Sequence, residues 1–88
     1  MTTLWVRDPR ARWRRSGSRV ALATPGDSEV MVLADTAAVT WALLADPIAE
    51  DEIVAILAEG FGEDVEVVRR SVVPFIERLR ELGAARRL

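Results

Sequence analysis

The groups that could move a proton in this chain are carboxylates, and they cluster. Asp51 and Glu52 stand side by side, and Glu63, Asp64 and Glu66 form a second group. Paired carboxylates serve acid–base catalysis or hold hard cations. Both clusters also sit where first helical turns are expected. Capping and the helix dipole explain them there without chemistry. The remaining inventory is narrow. There is no Cys, so neither a thiolate site nor a disulfide framework can form. Without Cys or His, the usual zinc, iron–sulfur and haem ligand sets are absent, and no Ser-His-Asp relay can be built. Catalysis would have to rest on Asp, Glu, Ser, Thr or Arg, or on a borrowed cofactor. We therefore expect no catalytic set, no metal site, no resident cofactor, and a protein that is not an enzyme.

The second chemical resource is arginine, which supplies all 12 cations. Residues 1–20 carry six Arg against Asp8, residues 21–68 carry 11 acids and no base, and residues 69–88 carry six Arg against Glu77 and Glu81. The net charge of −2 thus conceals two basic ends around an acidic middle. Either the ends and the middle attract one another, or a basic surface receives an acidic partner. Trp13 among Arg12, Arg14 and Arg15 fits a stacking platform for nucleic acid. It fits equally a strand residue packed on a sheet, with the arginines solvated. Arg69, Arg70, Arg78 and Arg80, together with a basic amino-terminal segment, raise the alternative of a winged-helix DNA-binding regulator. The acidic middle opposes that reading, as does the lack of the Asn and Gln that normally read adenine.

These residues need elements to hold them. The chain has 88 residues, half of them apolar, enough for one small domain. No apolar run approaches the roughly 20 residues of a membrane span, and the first five residues are too short and polar for a signal peptide, so a cytoplasmic protein is expected. Residues 1–10 carry no clear pattern and read as an amino-terminal arm, leaving residues 11–88 as the domain. From Ala11 the period is two, with Trp13 alternating against Arg12 and Arg14. Ser16-Gly17-Ser18 turns the chain into a second strand, Arg19 to Thr24. Pro25-Gly26-Asp27-Ser28 is a strong turn before a third strand, Glu29 to Leu33. Such short connections make an antiparallel meander.

The period then changes to 3.6. Asp35 is a candidate N-cap for a helix over 36–45, with Ala38, Trp41 and Ala45 on one face and Trp41 read as core. A second helix begins near Ala49, carries Ile53, Val54, Leu57 and Phe61 as its stripe, and ends at Gly60 to Gly62. A third, capped by Asp64, runs to about Leu82 with Val65, Val68, Val72, Phe75/Ile76, Leu79 and Leu82 inward. Pro74 within it predicts a kink or a break. The expected fold class is α+β, a three-stranded antiparallel sheet followed by three helices, like a winged helix-turn-helix with its strands first.

Leu33-Ala34-Asp35-Thr36-Ala37-Ala38-Val39-Thr40-Trp41 resembles the junction segment of the PqqD-like family, usually Leu-Asn-x-Thr-Ala/Gly-Ala-x-Ile-Trp. Ala34 stands for the usual Asn and Thr40 for the usual Ile. Pro47 to Ile53 is similar to that family's second-helix entry, and Phe75-Ile76-x-x-Leu79-x-x-Leu82-Gly83 to its final helix. The resemblance spans roughly residues 12–85. It implies a precursor-peptide recognition element of ribosomal peptide (RiPP) biosynthesis, a non-catalytic peptide chaperone. Such an element binds the leader segment of a precursor peptide as an added strand beside the third strand. It then hands the cargo to a modifying enzyme such as a radical-SAM protein, or to a leader protease in lasso-peptide pathways.

On this reading the third strand offers an open edge for β-augmentation, with Val30 and Val32 on one face and Met31 and Leu33 on the other. Met31 floors a groove whose other wall is the third helix, where Arg69, Val73, Ile76 and Arg80 fall along one flank. That flank would favour an acidic leader with apolar anchors. The acidic stretch of the second helix, Glu50, Asp51, Glu52 and Glu59, is a candidate docking face for the partner enzyme. An exposed third strand could instead pair with itself in a homodimer.

Overall fold

Nine elements follow one another in the computed structural model, which describes residues 2–25 and 30–88. They are β1 (Leu4–Arg7), β2 (Arg12–Ser16), β3 (Arg19–Ala23), β4 (Val30–Leu33), α1 (Thr36–Leu43), β5 (Ile48–Ala49), α2 (Glu50–Phe61), α3 (Val65–Glu81) and β6 (Ala85–Arg87). The class is α+β with three helices and antiparallel strands. The order differs from the sequence expectation, because the strands divide into two three-stranded sheets, β2-β3-β4 and β5-β1-β6. β5 lies between two helices and β6 follows the last.

The first sheet is the expected meander, joined by Gly17 at φ 62° in the β2–β3 turn. The remainder of the turn begun by Pro25, and Glu29 at the expected strand start, lie outside the described residues. The second sheet has no counterpart in the sequence pattern. β1 arises in the segment read as a patternless arm, and Trp5 at its centre is only 1% exposed. Its partners explain why the pattern is weak. β5 has two residues and β6 three, and both come from far along the chain. Backbone bonds extend the sheet at its margins: Arg7 N–H donates to Leu44 O (2.8 Å), Asp8 N–H to Ala84 O (2.8 Å) and Leu88 N–H to Leu4 O (2.8 Å).

The core lies where the three helices meet the inner faces of the strands. Val20, Leu22, Trp41, Leu44, Ile53, Val54, Ile76 and Leu79 are all 0% exposed. α2 carries three acids in its first turn and ends on Gly62 in the left-handed region, φ 65°. The Asp64 side chain accepts from Glu66 N–H, capping α3. α3 runs unbroken through Pro74, so of the expected kink or break the break is absent. Arg70 and Pro74 are both exposed, which leaves the unpartnered carbonyl open to water. α1 stops at Leu43, two residues before the expected end, and Ala45 is exposed. Among the described residues no helix is long and apolar enough to cross a membrane.

Candidate functional site

β4 pairs with β3 along one edge, and among the described residues nothing pairs with its other edge. An unpaired edge presents a row of N–H and C=O groups. Alternation along the strand follows from the pleat. Val30 and Val32 are 59% and 65% exposed, Leu33 is buried at 3%, and Met31 is half-buried against the core. The register aligns Leu22 with Met31 and Val20 with Leu33, so β4 sits on the sheet through its inner residues and is bare outside.

Where β4 ends the backbone turns sharply. Asp35 has φ 53° and ψ −125°, mirror-image extended geometry that L-residues seldom adopt. Ala37 N–H donates to Ala34 O at 3.1 Å across this turn, and Asp35 precedes α1 without giving it a side-chain cap. Immediately beyond lies a notch of about 130 Å³ between α1 and α3, lined by Thr36, Ala37, Thr40, Ser71, Val72 and Phe75. The Thr40 hydroxyl donates to Thr36 O at 2.7 Å, so this buried polar group is satisfied within α1.

A second cluster fixes the other side of α1. Arg7 Nε donates to Trp41 O (2.9 Å), and its guanidinium lies 4.5 Å from the Trp13 ring centroid and 4.9 Å from that of Trp41. Trp13 and Trp41 meet edge to face at 6.3 Å. Burial, and then the Arg15 charge, press the Arg7 guanidinium below its ordinary value, while Asp46 opposes them. Trp41 is core, as expected. Trp13 packs against Arg7 and Trp41, which favours the sheet-packing reading over a free stacking platform. Arg7 carried no sequence signal, because its role depends on bringing β1, β2 and α1 together.

The described residues contain no group of three or more His, Cys, Asp or Glu side chains placed to hold a metal ion. Among the described residues, the second edge of β4 leaves its backbone N–H and C=O groups without a strand partner. The sequence also matches the family model for coenzyme PQQ synthesis protein D (PqqD) over residues 19–84. The chain belongs to the PqqD family. No curated protein and no solved structure matches it. PqqD proteins are non-catalytic accessory proteins that act with ribosomally made precursor peptides and their modifying enzymes. The match runs from β3 to the end of α3 and includes β4 and the notch, whereas β1, β2 and β6 lie outside it.

Within this PqqD chain the expected α3 flank is placed differently from the strand residues. Ile76 is 0% exposed and belongs to the core, so it offers no surface to a ligand. Arg69 faces α2, with Nη1 donating to Asp51 Oδ1 at 2.7 Å and Nε 3.6 Å from Glu66. Arg80 is held by Glu77 on its own helix at 3.1 Å, and Val73 is half-buried. The helix face that meets α1 is the opposite flank, represented by Ser71 and Phe75. The inward stripe of α3 was legible, but either flank could have met α1. The sequence pattern places Phe75 on the inward stripe alone. The same ion pairs occupy cations that a DNA-binding reading would require, since Arg69, Arg78 and Arg80 each lie within 3.6 Å of a carboxylate.

Proposed function

We propose that this chain binds the leader segment of a ribosomally made precursor peptide by strand addition to β4 and delivers it, chemically unchanged, to a separate modifying enzyme or leader protease. The observation that carries this reading is the unpaired edge of β4 beside the α1–α3 notch, in a member of a family that acts with precursor peptides. The leader's main chain would bond to the outward N–H and C=O groups of residues 30–33, which gives affinity with little dependence on sequence. Selection would come from side chains. One apolar residue of the leader would fill the notch beside Phe75, and the inner row of Met31 and Leu33 would hold β4 in place. Met31, flexible and half-buried, can adapt to different cargo.

Amide hydrogen exchange tests this directly. In the free chain the β4 amides that point away from β3 should exchange quickly. Adding the leader should protect them, and Phe75→Ala should weaken binding by about tenfold, the weight of roughly 1.4 kcal/mol. Leader binding that leaves the exchange of residues 30–33 unchanged would place the site elsewhere.

A further inference from the structure

The β2-β3-β4 sheet has an outer face that nothing among the described residues covers. The register places two rows across it, Arg12–Ala23–Val30 and Arg14–Ala21–Val32. Small alanines floor a shallow trough of about 370 Å³ between the arginines and Val30. Val30 and Val32 are the most exposed valines among the described residues, at 59% and 65%. Neither Arg12, Arg14 nor the neighbouring Arg19 forms an ion pair among the described residues, whereas Arg69, Arg78 and Arg80 of α3 all do.

The complementary surface is on the same chain. α2 packs against α1, α3 and β5, and its outward stripe carries Glu52, Ala55, Ile56 and Glu59. Ile56 is 40% exposed, and neither glutamate forms an ion pair among the described residues. Among the described residues the chain thus holds a basic trough with an apolar floor and an acidic stripe with an apolar centre, neither of them ion-paired. The two stand on elements that do not pair with each other.

We propose that copies of this chain associate head to tail, the α2 stripe of one lying in the sheet trough of the next. Ile56 and Ala55 cover Ala21, Ala23 and Val30, and Glu52 and Glu59 reach Arg14 and Arg12. The two glutamates are about 10.5 Å apart along the helix. The two arginines are about 6.8 Å apart along the strand, a difference their long side chains span. The contact joins two different patches, so it closes into a ring or extends as an open chain. It uses the face of the sheet and leaves the edge of β4 free, so it stands apart from leader binding.

Sedimentation velocity of the full chain tests the proposal. At low ionic strength the sedimentation coefficient should rise with concentration above that of a 9.7 kDa monomer, and high salt should restore the monomer. Arg12→Glu with Arg14→Glu should abolish association, as should Glu52→Arg with Glu59→Arg. An equimolar mixture of the two double variants should associate again, because each altered surface then meets its opposite. That recovery also shows that both variants are folded, and each should still bind the leader like the unaltered chain. A wild-type chain that stays monomeric at every concentration in low salt overturns the proposal. So does an assembly that resists salt and both reversals, which would indicate edge-to-edge pairing of β4.

Discussion

The two sheets have the same number of strands and opposite relations to the rest of the molecule. In β5-β1-β6 the middle strand belongs to the amino terminus, one neighbour to the carboxyl terminus and the other to the α1–α2 junction. Trp5 of that middle strand is only 1% exposed, so the sheet ties three distant parts of the chain to one core. The β2-β3-β4 sheet is local in sequence and packs through one face. Its outer face is bare, and the far edge of β4 is unpaired among the described residues. The difference is one of burial: the non-local sheet closes the fold, and the local sheet keeps an exposed face and an unpaired edge among the described residues.

The largest effect should come from breaking the closing sheet. Trp5→Ala removes a buried indole, and large-to-small changes of this kind cost about 3–5 kcal/mol. A denaturant melt should show that loss, a large part of the roughly 4–13 kcal/mol typical of a chain of 88 residues. If Trp5→Ala melts like the unaltered chain, β1 is an accessory and the contrast between the sheets fails.

A smaller effect, of opposite sign, is expected where β4 leaves the open sheet. Asp35 at φ 53° carries strain that glycine would not, so Asp35→Gly should stabilise the fold by about 1 kcal/mol. Thermal melting measures this. A destabilised glycine variant would mean that the Asp35 side chain contributes more than its backbone costs.

The smallest effect concerns the exit from β1. Asp8 is buried and accepts bonds from Arg10 Nε (3.0 Å), Nη2 (3.1 Å) and backbone N–H (2.9 Å). The Arg10 side-chain bonds foremost, then its backbone N–H, hold the Asp8 carboxyl below its ordinary value against the opposing effect of burial. A lowered folded value means that the stabilisation is present above the unfolded value, near pH 4, and is lost as pH falls through the folded one. Stability measured from pH 7 down to pH 2 should fall less steeply for Asp8→Asn than for the parent chain. Equal slopes would show that this carboxylate does not link the β1 exit to pH.

Legibility followed the distance along the chain over which each element finds its partners. The β2-β3-β4 meander, the acidic first turn of α2, the Asp64 cap and the Val68, Val72, Ile76 and Leu79 stripe were readable because each is specified within a few neighbouring residues. β1 was not, because a four-residue strand whose partners have two and three residues has no period of its own. The flank of α3 that carries Arg69 and Arg80 is ambiguous in sequence for a related reason. A helical wheel shows two flanks beside a stripe, and only the contact of Arg69 with Asp51 tells which one faces α2.

The α+β composition, the three helices, the alternation of Met31 and Leu33 against Val30 and Val32, and the lack of thiol and imidazole groups are all local properties of the chain. Those follow from local periodicity and residue type. Tertiary structure alone decided that the amino-terminal segment enters the core, that Arg7 is lodged against Trp13 and Trp41, and that Ser71 and Phe75 flank the notch beyond β4. The physical reason is that burial of Trp5 and the choice of helix flank depend on contacts between residues far apart in the chain, which local patterns do not specify.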